Sequence, residues 1–357
     1  MKKQVLLFAA IFLATILLLT FVLPKSFVDA VSGASKSFPM NGNSLYHQND
    51  SKKLKEGSIE IAGEVENPGK VKKFKYFSRE VFVKEAKIDS KGNVDFIGAF
   101  RYRGYSLFDI LHSFNLKKKN SEQFYPIIDA YVKVENDKGE SVVFSWSEIF
   151  HTIKPHQIIV AVEVAPILPR KKEVEYQTGE TFKLVAANDL FSFRNLDNPS
   201  KITVYSFDQK DYPVTRNMDP MYSPEVVINI GDEFSHTIGL LEKNSKLGFY
   251  STVFFGMGMG HHPNDGFRGV FLNELLDGFM ETTDGDWIRN GLVCAAAVDG
   301  YRAIFSFSEL FNRADQVFPM LAVSPDENGG YYRIFVPSDF FADRSVKSLM
   351  ELYFFQK

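Results

Sequence analysis

Between Ile59 and Val65 apolar side chains alternate with polar or small ones, the period-two signature of a strand with one buried face. Asn67-Pro68-Gly69 follows as a turn. The period then changes. Leu107, Ile110, Leu111 and Phe114 recur at helical spacing behind Ser106, which predicts a short helix capped by that serine. Tyr131–Val134 and Val142–Phe144 flank Asn136-Asp137-Lys138-Gly139 and predict a β-hairpin. Ser145 is placed to cap a second short helix ending at Phe150, with Glu148 in the capping-box position. A further apolar strand is expected over 251–255. Strands and short helices in irregular succession predict an α+β fold with mixed sheets, not a doubly wound one.

The same pattern occurs twice. The nine residues from Arg103 to Leu111 align with Arg268 to Leu276, and Val142–Phe150 aligns with Ala303–Phe311. Phe182–Val204 aligns without a gap with Tyr332–Phe354, sharing Asp189/Asp339, Phe191/Phe341 and Arg194/Arg344. Three colinear matches with steadily falling offsets point to two diverged tandem copies of one domain. The expected division is residues 58–206 for the first copy, 207–224 for a proline-bearing linker and 225–357 for the second. The repeated Asp-to-Arg spacing of five residues is expected to form a structural ion pair in each copy.

Ahead of the copies, Lys2 and Lys3 precede a 19-residue apolar run, Val5–Leu23, broken only by Thr15 and Thr20. A positive start before such a run reads as an export signal, and its length nearly spans a bilayer. Residues 1–30 are therefore expected to be a signal peptide or a membrane anchor, and 31–57 a Ser/Asn/Lys/Gly-rich flexible tether. The bulk of the chain is expected to be extracytoplasmic, periplasmic or held to the membrane by this segment. A net charge of −3 gives no support for a nucleic-acid partner. The 35 Phe predict aromatic cores. The lone Cys294 excludes an intramolecular disulfide and sits in an Ala-rich strand, where a buried core role is expected.

One segment concentrates candidate chemistry. Gly256-Met257-Gly258-Met259-Gly260-His261-His262-Pro263-Asn264-Asp265-Gly266 offers glycines for close backbone approach and His261, His262 and Asp265 as metal-ligand or acid–base groups. Arg268 lies just beyond and can grip an anion through paired donors. A bland tight loop competes with this reading, because adjacent histidines on an extended backbone point apart. Arg344 is a further candidate contact to a ligand. His112, His151 and His156 have no nearby serine or cysteine nucleophile pattern, so the sequence gives no support for triad chemistry.

Several stretches together resemble the molybdopterin-binding domain of sulfite-oxidase-type oxidoreductases. They are the opening strand with Gly63 and Asn67-Pro68-Gly69, the two Arg-Gly helices, and Asp299-Gly300-Tyr301 with Phe305–Leu310. Arg333–Pro337 with Arg344-Ser345-Val346-Lys347 completes the set. The resemblance implies a metal held by a cysteine thiolate before the Arg-Gly motif, yet 81–98 and 251–262 contain no cysteine. Lys2-Lys3 is also not the twin-arginine signal that exports folded, cofactor-loaded proteins. The expectation is a non-redox binding or interaction module that has lost the molybdenum ligand and takes a small anion, a metal or a protein partner. No cofactor is expected; molybdopterin enters by resemblance only. The alternative is an extracytoplasmic oxidoreductase whose pterin or metal is held by non-cysteine ligands, His261 or His262. A purely structural role, the copies packing on each other and on a second chain, stays open.

Overall fold

A computed structural model describes residues 51–169, 173–240, 246–323 and 330–357. The expected signal or anchor, and the tether up to residue 50, lie outside the described residues. Among the described residues no helix is long and apolar enough to cross a membrane.

In the first half the strands are β1 (Lys52–Lys53), β2 (Ile59–Gly63), β3 (Gly69–Val71), β4 (Arg79–Ile88), β5 (Val94–Ser106) and β6 (Ala130–Asn136). They continue as β7 (Ser141–Ser145), β8 (Ile158–Pro166), β9 (Lys183–Ala186), β10 (Leu196–Asp197) and β11 (Pro199–Ser206), with helices α1 (Leu107–His112) and α2 (Trp146–Phe150) between them. The second half has β12 (Val226–Ile230), β13 (Phe234–Ile238), β14 (Gly248–Tyr250), β15 (Phe254–Gly256), β16 (Gly260–His262) and β17 (Phe267–Phe271). It ends with β18 (Gly291–Ala297), β19 (Arg302–Ser306), β20 (Met320–Val323), β21 (Tyr332–Phe335) and β22 (Leu349–Gln356), and its helices are α3 (Leu272–Leu275), α4 (Gly285–Asn290) and α5 (Phe307–Phe311). The expectation of an α+β fold holds: among the described residues strands dominate, and every helix is short.

The sheet orders of the two halves correspond. One sheet runs β3-β2-β11-β6-β7 in the first half and β13-β12-β22-β18-β19 in the second. In both, the second and third strands are parallel and the other pairs antiparallel. The other sheet runs β4-β5-β8-β9 and β14-β17-β20-β21, with β1 and β10 added in the first half. The repeated Arg-Gly motif acquires a reason here. A Cβ on Gly104 would lie 2.0 Å from the Val160 carbonyl oxygen, and one on Gly269 2.0 Å from that of Leu321. Each glycine lets its strand close on the next.

Within each half the two sheets face each other. Val132 and Val134 of β6 meet Val160 and Leu184 in one core, and Val293 and Ala295 of β18 meet Leu321 and Ile334 in the other. Alternate residues face the opposite way. Tyr131 and Val143 of the first half pack on Leu292, Cys294 and Ile304 of the second, so the two five-stranded sheets also stack on each other. That explains the unbroken apolar run of β18, all seven residues of which are buried: both of its faces are covered.

The halves are joined almost isologously. The Ile153 amide donates to Ser338 O and the Phe340 amide to His151 O; their counterparts are Ala314 N to Asn188 O and Leu190 N to Asn312 O. At the centre the paired Asp/Arg motifs meet. Arg194 donates to both oxygens of Asp189, to Glu148 and to the Val143 carbonyl, and crosses to Ser306 Oγ at 3.1 Å. Arg344 donates to Asp339, Glu309 and the Ile304 carbonyl, and crosses to Ser145 Oγ, again at 3.1 Å. Each guanidinium lies 4.3 Å from a phenylalanine ring centroid, Phe144 or Phe305. This is the self-complementary logic of a two-fold dimer interface inside one chain.

Several local expectations need adjustment. Ser145 and Ser306 both cap their helices, but only Ser306 with Glu309 forms a complete capping box. The Glu148 carboxylate turns instead to Arg194 and accepts the Ser306 hydroxyl proton. Ordered chain begins before residue 58, since β1 pairs with β8 and Leu54 is buried. The segment between the halves is a strap anchored at a few points: Phe207, Tyr212 and Ser223 are buried, most residues between them are exposed, and the Tyr212 hydroxyl donates to Glu351.

Candidate functional site

In the first half β4 and β5 form one long ladder, and the Ala86 amide donates to Ser192 Oγ. The equivalent hairpin of the second half is broken. β14 and β17 pair over three residues, and β15 and β16 form a separate small hairpin beyond an interruption that contains Pro263 and Gly266. The expected strand over 251–255 is thus reduced to Phe254–Gly256. Gly266 has φ +92, and a Cβ there would lie 2.4 Å from the Tyr250 carbonyl oxygen, so this bend depends on glycine. The detached hairpin folds over the junction, and the Met257 amide donates to Asp343 Oδ2 at 3.0 Å.

Beneath it lies a two-chambered cleft. The first chamber, about 730 Å3, takes walls from both halves: Leu116, Tyr125, Ile127 and His151 from the first, Met257 and Phe341 from the second. The second, about 570 Å3, is walled by Met221, Met259, His262, Asp299, Arg333 and Lys347. Tyr301 and Asp343 line both chambers and divide them. The Tyr301 hydroxyl donates to the Asp343 carbonyl at 2.8 Å, and burial, then the Asp343 carboxylate, push its pKa up. Tyr301 therefore stays protonated beside the Asp343 carboxylate.

His151 is the ionisable group of the first chamber whose state is fixed by its surroundings. Burial, then the Arg344 guanidinium, lower its pKa to about 4, so it is neutral at neutral pH. It shares a hydrogen bond with Ser147 Oγ at 2.9 Å and meets the Phe341 ring edge-on. Lys118 also lines this chamber, but its ammonium is engaged by Asp129 at 2.5 Å and by the Phe124 and Pro126 carbonyls. The chamber therefore presents a mostly apolar surface with the neutral imidazole of His151, and the carboxylate on its wall, Asp343, accepts the Met257 amide.

Of the residues singled out in the sequence, the fold brings His262 into the cleft and leaves the others outside it. His261 faces away from His262 along β16 and is exposed, as are Asp265 and Arg268. Arg268 stacks 4.8 Å from the ring centroid of Phe249 on the neighbouring strand. The Arg344 donors are all taken up in the ion-pair network, so it has none for a ligand. Its expected ion pair with Asp339 is present, as is that of Arg194 with Asp189.

Histidine–serine contacts, unsigned in the sequence, do form. His156 Nδ1 lies 3.0 Å from Ser106 Oγ, which donates to Asp109. Ser106 is fully buried and caps α1, and Ser147 is fully buried as well, so neither hydroxyl is open to a substrate. Among the described residues, no group of three or more His, Cys, Asp or Glu side chains is placed to hold a metal ion. Cys294 is fully buried where the sheets stack, and burial pushes its thiol pKa well up. A molybdenum–thiolate centre does not fit these residues, because a ligating sulfur must be deprotonated and accessible.

Comparison with protein-family models, curated proteins and solved structures finds no match to this chain.

Proposed function

We propose that this chain is an exported, non-redox binding module made of two diverged copies of a domain resembling the sulfite-oxidase-type molybdopterin scaffold, and that its site is the cleft at the junction of the copies. The matching strand orders, helix caps and Asp/Arg clamps support the reading as a duplication. The apolar run behind Lys2 and Lys3 supports export.

The observation that carries the binding role is the first chamber. It is of ligand size, mostly apolar, built from both copies and roofed by a hairpin that the first copy keeps in a regular ladder. Its chemistry selects an uncharged or weakly polar organic molecule with an apolar body, held by dispersion contacts and by a hydrogen bond to neutral His151.

A panel of fluorinated aromatic fragments screened by 19F NMR tests this. Fragments should bind with Kd near or below about 1 mM. Ile127→Trp should weaken binding by narrowing the chamber, and because Ile127 is 42% exposed the change should leave thermal unfolding intact. No binding to the wild type, or equal binding to a folded Ile127→Trp variant, would refute the proposal.

A further inference from the structure

The second chamber differs in kind from the first. Its wall brings together two thioethers and an imidazole from separate places: Met221 from the strap between the halves, Met259 from the tip of the small hairpin and His262 from its returning strand. We propose that this chamber is a binding site for a soft monovalent metal ion, Cu(I), ligated by Met221, Met259 and His262.

The donor set decides the metal. Thioether sulfur is a soft, neutral ligand that selects Cu(I), and imidazole suits copper as well. Zinc and calcium sites need several thiolates, imidazoles or carboxylates converging on one point, and among the described residues no such group of three or more forms. One oxygen of each nearby carboxylate is already engaged: Asp343 Oδ2 accepts the Met257 amide and Asp299 Oδ1 the Tyr301 amide. Their charges also offset those of Arg333 and Lys347 on the same wall. A chamber of balanced charge with neutral donors suits a monovalent ion better than a divalent one.

Packing does not account for Met259. Its side chain is 83% exposed at the chamber mouth, where a flexible apolar chain gains little from burial. Gly258, beside it, has open space where a Cβ would be, so no close contact demands a glycine there. That glycine and Gly260, at φ +77, let the tip adjust as the sulfur closes on an ion. His262 also gains a purpose that His261 lacks: of the adjacent pair, only His262 lines the chamber that Met221 and Met259 line.

This site goes beyond the organic-ligand reading of the first chamber and does not depend on it. The test is anaerobic titration of the reduced full chain with Cu(I) against a chromogenic Cu(I) chelator, with Zn(II) titrated in parallel. The expected result is stoichiometric capture of Cu(I) from the chelator, weaker binding of Zn(II), and sulfur neighbours in the copper X-ray absorption spectrum. Met221→Leu, Met259→Leu and His262→Phe should each weaken capture by about tenfold or more. The leucine variants keep side-chain volume, so thermal unfolding should be unchanged. Met257→Leu, in the wall of the other chamber, should leave Cu(I) capture unchanged. Failure of the wild type to take Cu(I) from the chelator would overturn the proposal. So would undiminished capture by a Met221→Leu/Met259→Leu double variant, or tighter binding of Zn(II). Fragment binding in the first chamber is read separately, so either proposal can fail alone.

Discussion

Replacing Arg344 with methionine should destabilise the whole chain as one unit. The guanidinium is 2% exposed and meets Asp339, Glu309, the Ile304 carbonyl and Ser145 of the other half. Burial alone would lower its pKa, but the Asp339 and Glu309 carboxylates more than offset this and raise it. Methionine keeps the apolar stem and the contact with Phe305 but removes the cation, leaving two buried carboxyl groups unpaired. Removing one partner of a buried ion pair costs about 3–5 kcal/mol, a large part of the roughly 5–15 kcal/mol that holds a typical domain. Urea unfolding followed by the fluorescence of Trp146 and Trp287, one in each half, would measure it. Both signals should move together to lower urea, because each clamp ties both halves. Arg194→Met should act alike, and the two substitutions should be non-additive through the Ser145 and Ser306 crossings. Arg103→Met, which breaks pairs with the part-exposed Glu80 and Glu163, should cost no more than about 1 kcal/mol. A loss below about 1 kcal/mol for Arg344→Met, or separate transitions for the two tryptophans, would refute the picture of one interlocked body.

Other outcomes follow from the same geometry. Ser306→Ala should cost about 2 kcal/mol and Ser145→Ala about 1, since Ser306 caps a helix, donates to the Glu148 carboxylate and accepts from Arg194, whereas Ser145 caps a helix and accepts from Arg344; chemical denaturation ranks them. His151 has its folded pKa depressed to about 4 from 6.5, so the unfolded chain takes up its proton first as pH falls. Its contribution is therefore full above pH 6.5 and is lost towards pH 4, on the order of 3 kcal/mol at most. His151→Asn, which imitates Asn312 at the matching place in the other half, should flatten that part of the stability–pH curve. Gly269→Ala should cost about 3 kcal/mol or more by pressing a Cβ against the Leu321 carbonyl, read as a drop in melting temperature. Asp343→Ala should release the hairpin tip, seen as faster hydrogen exchange of the Met257 amide with little change in the β18 amides.

Much of the scaffold could be read from local chemistry. Ser106 and Ser145 announced their helices because a hydroxyl before an apolar helical period has few other uses, and Asn136-Asp137-Lys138-Gly139 announced its hairpin. The alignment of Asp189–Arg194 with Asp339–Arg344 pointed to paired clamps, and both form. What those clamps reach across to was not legible: nothing in the sequence around Ser145 says that its hydroxyl meets an arginine about two hundred positions away. The Gly/Met/His segment lies on the hairpin over the cleft. Its partners came from elsewhere. The first chamber's wall, Leu116 to Ile128, is an irregular connection with no periodicity to mark it, and His151 and Tyr301 become neighbours only when the halves dock. Asp265 and Arg268 were close in sequence to His262, but the bend at Gly266 and the strand pairing of Arg268 with Phe249 carry them away.

Native-envelope purification, followed by mass spectrometry of the small molecules released on denaturation and by elemental analysis, tests the binding role most directly. A cleft that holds an organic ligand should release a stoichiometric apolar compound that the Ile127→Trp variant holds in smaller amount, with no pterin among the products. Stoichiometric molybdenum or tungsten together with a pterin would contradict it.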